Sequence, residues 1–224
     1  MANMVEETRQ VGEFDRIEVK GVGKIFIAQG STNEVIVEAE EQIIKRISTE
    51  VVDGKLNIDV GRDWVERLSA GLEFLTSREI IFHITLKNLK SLDVLGACDL
   101  EAGQLNANDL DVRMSGAGQL KLLDLHASRL DVNMPGAGKI MVGGSCDEQE
   151  ISLTGAGNYD AAKFKSKVTK VSLTGVGSAT VWATENLEVT VTGVGNIEYY
   201  GNPHIKQSTT MLGTVRNVGE EPKL

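Results

Sequence analysis

From residue 89 onward apolar residues fall at every second position within short runs, and the runs recur about every twenty residues. Each run ends on a Gly-small-Gly triplet. These are Gly116-Ala117-Gly118, Gly136-Ala137-Gly138, Gly155-Ala156-Gly157, Gly175-Val176-Gly177 and Gly193-Val194-Gly195, with Gly96-Ala97-Cys98 as an imperfect first member. Successive first glycines are 20, 20, 19, 20 and 18 residues apart, an isolated Gly21-Val22-Gly23 lies near the N-terminus, and Gly213 follows the last copy by 20. Two residues before the first glycine stand Val94, Met114, Met134, Leu153, Leu173 and Val191; four before stand Leu92, Val112, Val132, Ile151, Val171 and Val189. Between these apolar columns lie Asp93, Arg113, Asn133, Ser152, Ser172 and Thr190. Strict alternation of this kind is the signature of a strand with one buried face.

Past the triplet the alternation resumes, with Leu100, Leu120, Ile140, Tyr159, Ala179 and Ile197 and then Ala102, Leu122, Val142, Ala161, Val181 and Tyr199. Each unit therefore reads as strand, glycine corner, second strand and a looser segment such as Leu105-Asn106-Ala107-Asn108. Such a unit buries its apolar face by stacking on the next at the ~4.8 Å strand spacing, and six units make a rod of roughly 30 Å. The middle residue of each triplet is expected to point into the bend, with the glycines supplying positive φ or close backbone approach. The predicted fold is all-β, a right-handed parallel β-helix (solenoid) of about 20-residue coils with a short helix or loop insertion. An antiparallel sandwich of hairpins is the competing architecture, but its partner strands would alternate in type, whereas here like columns repeat once per unit.

The expected organisation is a flexible N-terminus over 1–10, one solenoid domain over 11–219 and a tail over 220–224. Within the domain, 11–90 hold N-terminal coils and 91–213 the regular repeats. Strands are predicted at Phe14–Val19, Lys24–Ile27, Glu34–Glu38, Lys55–Val60 and Ile80–Leu86. Ile43, Ile44 and Ile47 mark a short helix that covers the open end of the solenoid. Residues 61–79 are an insertion with Trp64, Val65, Leu68, Leu72 and Leu75 on one helical face. It is either packed on the flank or, through Trp64, Leu68 and Leu72, an interface to a second subunit.

The stretch Phe14-Asp15-Arg16-Ile17-Glu18-Val19-Lys20-Gly21-Val22-Gly23, the run Leu89-Lys90-Ser91-Leu92-Asp93-Val94 and the train of triplets resemble the auto-transporter adhesin head (GIN) domain family, from about Gly12 to Gly219. The resemblance implies a parallel β-helix, mostly bacterial and usually exported, with adhesion as the role its name proposes. It brings no catalytic motif.

Composition narrows the functions further. A net charge of -9 and a pI near 4.9 argue against nucleic acid or an anionic membrane as partner. No apolar run is long enough to span a bilayer. The first residues carry no secretory leader, so the chain is either cytosolic or belongs to an exported protein whose leader lies upstream; the cell envelope or extracellular space is the expected compartment.

One outward column, five before the glycine, reads Ser91, Asp111, Asp131, Glu150, Lys170 and Glu188. Asp111, Asp131 and Glu150 in successive coils would stand about 5 Å apart, close enough to raise one another's pKa, invite Ca²⁺ or serve a glycosidase. A solvated acidic flank, diluted by Arg113, Asn133 and Lys170, is the simpler reading, with no basic residue expected to cluster there. Trp182 and Tyr200 occupy one position of adjacent units and form either a small stacking platform or corner packing. Thr154, Thr174 and Thr192, with Ser115, read as stacked hydroxyls that support the sheet. His83, His126 and His204 fall in unrelated positions, and Cys98 and Cys146 have neither zinc spacing nor an obvious mutual bond. No Lys-Ser/Thr follows the glycine triplets, so they are not phosphate loops.

No catalytic, metal or cofactor-binding residue is assigned. The expected function is a non-catalytic, adhesin-like binding scaffold contacting a protein or glycan at the cell surface. A carbohydrate-active enzyme using the acidic face, or a self-associating structural subunit, are the alternatives.

Overall fold

The computed structural model describes residues 3–61, 80–210 and 212–222. Strand accounts for 77% of the described residues and helix for 2%, in a parallel β-solenoid of about six turns of ~20 residues. The central coils are β9 (Ala97–Met114), β10 (Ala117–Met134), β11 (Ala137–Leu153), β12 (Ala156–Leu173) and β13 (Val176–Val191). They stack in parallel with triplet on triplet, as in Ala117↔Ala137, Ala137↔Ala156 and Ala156↔Val176. The segments expected to be loose are paired as well, Leu125 with Leu105 and Ala127 with Ala107. Each coil is thus one long strand interrupted at the glycine corner, with register shifts after Leu122, Met141 and Asp160 where the ladder is irregular.

The alternating columns build the core. Leu92, Val112, Val132, Ile151, Val171 and Val189 are all buried, as are Val94, Met114, Met134, Leu153, Leu173 and Val191. Burying a Val or Leu side chain is worth about 1.5–3 kcal/mol against leaving it exposed, so two unbroken files per face suffice to hold neighbouring coils together. A single cluster of buried residues runs from Phe14 to Ile197.

Corner size is set by the glycines. A Cβ on Gly116 would lie 1.8 Å from the carbonyl oxygen of Gly96 one coil below, and one on Gly118 (φ +121) would lie 2.1 Å from that of Cys98. The middle residues point outward instead of into the bend: Val176 is 61% and Val194 42% exposed. Pleat alternation explains this, since the two glycines occupy the tight positions and leave their neighbour facing solvent.

At the N-terminal end, β2 (Arg16–Lys20) and β3 (Val22–Gln29) form a first coil, paired in parallel with β8 (Ser91–Val94) and β9. Here the regular stack gives way to antiparallel strands. On one face β7 (Ile81–Leu86) pairs in parallel with β3, β4 (Glu34–Glu40) runs antiparallel to β7, and β1 (Met4–Arg9) runs antiparallel to β4. The expected flexible N-terminus is therefore a ladder strand over Met4–Arg9, held additionally by the Arg9 guanidinium, which donates to the Ile44 carbonyl at 2.7 Å.

On the other face β5 (Ser48–Val52) and β6 (Lys55–Asp59) form a hairpin, with β6 against β2. Its turn, Asp53-Gly54, has positive φ at both residues (50° and 74°), as a two-residue hairpin requires. The one-turn helix α1 (Glu41–Ile44) buries Ile43 and Ile44, and with Ile47 behind them these close the N-terminal end of the core. The C-terminal end carries β14 (Val194–Tyr200), β15 (His204–Thr209) and β16 (Leu212–Gly219). There the inward columns turn polar, with Gln207 and Thr209 stacked on Val189 and Val191. Polar inward residues on a terminal coil blunt it against unspecific stacking.

Candidate functional site

The acidic column stands in register. Ser91 pairs with Asp111, Asp111 with Asp131, Asp131 with Glu150, Glu150 with Lys170 and Lys170 with Glu188. It borders a shallow groove of about 490 Å³ between Asp93, Asp111, Arg113, Asp131, Asn133 and Ser152. A basic residue does cluster here. Arg129, two residues before Asp131 and so on the same outward face, forks onto Asp131 with Nε–Oδ2 at 2.8 Å and Nη2–Oδ1 at 3.0 Å. The same guanidinium reaches Glu148 at 3.1 Å and Glu150 at 2.9 Å, and Lys170 lies 3.4 Å from Glu150. Its contact with Asp131, above all, holds the Arg129 proton more tightly than usual.

Asp111 is left facing this cluster. Burial, followed by the charges of Asp131, Asp109 and Asp93, raises its pKa against the opposing pull of Arg129. Arg129 thus converts a row of acids into an ion-paired surface network. Among the described residues no group of three or more His, Cys, Asp or Glu is placed to hold a metal ion.

Trp182 and Tyr200 are ladder neighbours and both half-buried. The Lys165 ammonium sits 5.0 Å from the Trp182 ring centroid, so one face of that ring is occupied by a cation. Trp64, Leu68 and Leu72 lie outside the described residues. His83 stacks on Phe26 at 5.4 Å, His126 lies 3.1 Å from Asp124, and His204 begins β15 on the last coil. Cys98 and Cys146 are free and buried, and burial pushes each thiol up to about 12. The hydroxyls of Thr154, Thr174 and Thr192 make no hydrogen bond to one another or to other described residues, so they do not brace the sheet; in the same column Ser115 Oγ accepts from Arg113 Nε at 3.1 Å, and Thr210 donates to the Val191 carbonyl at 3.3 Å.

A polar cluster inside the core went unread in the sequence. The inward column six before the glycine runs Leu110, Leu130, Gln149, Thr169, Leu187. Gln149 and Thr169 are buried with Ser166. The Tyr159 hydroxyl donates to Gln149 Oε1 at 3.0 Å, while Gln149 Nε2 donates to Ser166 Oγ at 2.8 Å and Thr169 Oγ1 at 3.2 Å. Ser166 in turn donates to the Trp182 carbonyl at 3.1 Å. The signal was available as two polar residues in an otherwise leucine file. The network is fully inside the rod, which makes it structural.

These features define a class: a right-handed parallel β-solenoid with a continuous apolar core and coil-repeated outer faces. The family described as "Putative auto-transporter adhesin, head GIN domain" matches residues 13–203, and the chain belongs to it. Among solved structures the chain is similar to a "putative adhesin" from Bacteroides fragilis NCTC 9343, at 25% identity over 96% of this chain and 97% of that one, with a TM-score of 0.84. A "putative adhesin" from Parabacteroides distasonis ATCC 8503 matches at 22% identity over 97% and 98% of the two chains, with a TM-score of 0.67. A "putative lipid binding protein" from the same strain matches at 18% identity over 98% and 95%, with a TM-score of 0.63. Among curated proteins no sequence matches the chain. No helix among the described residues is long and apolar enough to cross a membrane.

Proposed function

We propose that the chain is a non-catalytic, adhesin-like scaffold displayed in the cell envelope or outside the cell, where its flat faces contact a protein or a glycan. The Arg129 network carries this reading. The acids best placed to act on a sugar, Asp131 and Glu150, both bond to one guanidinium, whereas glycoside hydrolysis needs one carboxyl protonated as acid and the other free as base or nucleophile. Family membership and the adhesin names of its structural neighbours support the same role. The groove beside these acids is shallow and open, which suits surface contact better than enclosure of a reacting bond.

The test pairs binding with cleavage. Labelled protein is expected to bind intact bacterial or host-cell surfaces saturably, while wild type and Asp131→Asn both stay at background in polysaccharide-cleavage assays. Cleavage by wild type that is lost in Asp131→Asn would overturn the reading, as would absence of saturable binding to any cell surface.

A further inference from the structure

Charge is unevenly distributed along the rod. In the early coils the outward positions around the glycine corner include Asp93, Arg113, Asp99 and Lys139. From residue 152 onward the same positions lose every charge. The position three before the glycine reads Ser152, Ser172, Thr190, Ser208, each stacked on the next. The position one before reads Thr154, Thr174, Thr192, Thr210. Just past the corner stand Ala156, Val176, Val194 and Leu212, also in register and all exposed, Leu212 at 78%. Next comes a file of Asn158, Ser178, Asn196 and Thr214.

Four positions over four coils are thus uncharged in a chain that is 25% charged overall. Ion-paired files bound the patch: Lys170–Glu150 at 3.4 Å and Lys206–Glu188 at 3.0 Å on one side, Arg216–Glu198 on the other.

A second observation concerns the hydroxyls. Those of Ser152, Thr154, Ser172, Thr174, Thr190 and Thr192 form no hydrogen bond with other described residues. Each keeps a donor and acceptor capacity for an outside partner. They form a lattice with a spacing of about 4.8 Å along the rod and about 6.8 Å along the strand.

We infer that this face binds a neutral polysaccharide chain lying along the rod, a proposal that rests on the scaffold reading above and names its partner class. Sugar hydroxyls are themselves donors and acceptors, so a lattice of free hydroxyls pairs with them in either sense. The Val176, Val194 and Leu212 file offers an apolar strip for the C–H faces of the sugar rings. A face without charge gives no counter-ion to sulfated or uronic polymers, and it leaves the charged rim of a typical protein partner unpaired. The four files carry no aromatic side chain, so affinity comes from repetition along an extended polymer and not from stacking in one deep subsite.

The experiment is native affinity electrophoresis of the full chain in gels containing hydroxyethyl cellulose, mixed-linkage β-glucan, mannan or dextran, with polygalacturonate and heparin as charged polymers. Wild type is expected to be retarded by at least one neutral polymer, and the retardation should persist in 0.5 M salt. Thr174→Val/Thr192→Val, which keeps shape and removes two hydroxyls, should weaken binding about tenfold, the worth of two ordinary net hydrogen bonds. Thr174→Lys/Thr192→Lys should abolish it, while Asp111→Asn on the acidic flank should leave it unchanged.

Retardation by none of the neutral polymers, retardation by the charged polymers alone, or undiminished binding by both double variants would overturn the inference. Inhibition of ice recrystallisation without polysaccharide binding would overturn it too, by assigning the lattice to a different periodic surface. Saturable cell-surface binding with no retardation would sink this inference while leaving the scaffold reading intact. Cleavage of a bound neutral polymer would do the reverse.

Discussion

Replacing Gln149 by leucine separates the logic of the core column from the logic of its hydrogen bonds. Leucine is what the file asks for, since Leu110, Leu130 and Leu187 fill the same position, and the swap should add about 1 kcal/mol of apolar burial. Against that, Gln149 Oε1 is the acceptor of the Tyr159 hydroxyl, and Tyr159 is 1% exposed. Burial raises the Tyr159 pKa well above the ordinary phenol value, so the group stays a neutral donor. Ser166 and Thr169 still have each other after the substitution, but the tyrosine hydroxyl is orphaned. An orphaned buried donor costs ~1–3 kcal/mol, and the other two hydrogen bonds of Gln149 are worth about 1 kcal/mol each.

Gln149→Leu should therefore destabilise by about 3 kcal/mol, a fall of roughly 6–12 °C in Tm for a chain of this size. The control is Tyr159→Phe in the same background, which removes the orphan. In a double-mutant cycle read by urea unfolding the two changes should couple by more than about 1 kcal/mol, with the double variant more stable than Gln149→Leu alone. A Gln149→Leu protein as stable as wild type, or strictly additive effects, would refute the claim that the cluster is held together by satisfied hydrogen bonds.

Gly175→Ala places a Cβ 1.9 Å from the Gly155 carbonyl and must pry two coils apart, so it should cost more than about 3 kcal/mol, whereas Val176→Thr beside it, on an exposed side chain, should change Tm by little. Asp111 binds its proton more tightly folded than unfolded, so it favours folding below the ordinary aspartate value of 3.8 and opposes it as pH rises through the raised folded value. Asp111→Asn should accordingly raise Tm at pH 7 and lose that advantage at pH 3, as differential scanning calorimetry would show. Glu18 has the opposite sign, its pKa lowered by Lys20 and then Lys55, so its contribution is present above 4.5 and fades as pH falls through the lowered folded value; Glu18→Gln should cost stability at pH 7 and nothing at pH 2. Both thiols should resist an aromatic disulfide reagent in the native chain and react at the rate of unfolding, while fast labelling of either would contradict their burial.

What the sequence disclosed and what it hid divide along one physical line. Period-2 alternation and a fixed repeat are consequences of the pleat and of stacking, so the inward files from Leu92 to Val189 were readable from spacing alone. Where the chain leaves that period, the signals are local and weaker. The β5–β6 hairpin was announced only by Asp53-Gly54 between two β-rich runs. β1 has little alternation to offer because, at the sheet edge, only Val5 and Arg9 are half-buried and the rest of the strand faces water. The outward-facing middle of each triplet is not legible from residue size, because a small side chain fits a crowded bend and a solvent-facing one alike. The pleat had already assigned the crowded sites to the flanking glycines.

The candidate site follows the same division, and this bears on where function resides. The register of Asp111, Asp131 and Glu150 was fixed by the repeat. Their partner Arg129 was not, because a side chain long enough to reach across coils obeys no column. In a solenoid the backbone makes equal positions of different residues into neighbours, so information about a partner is carried by departures from the column average. Two departures stand out: Gln149 and Thr169 inside, which close on themselves, and the loss of charge outside from Ser152 to Thr214, which does not. A closed polar network consumes its own hydrogen-bonding capacity and serves the fold. Hydroxyls left unspent on an uncharged face make no bond within the fold; exposed as at Thr154, Thr174 and Thr192, they bond water, which a partner's hydroxyls can replace. Unspent capacity, more than the acids first suspected, is the feature that points away from the molecule toward a partner.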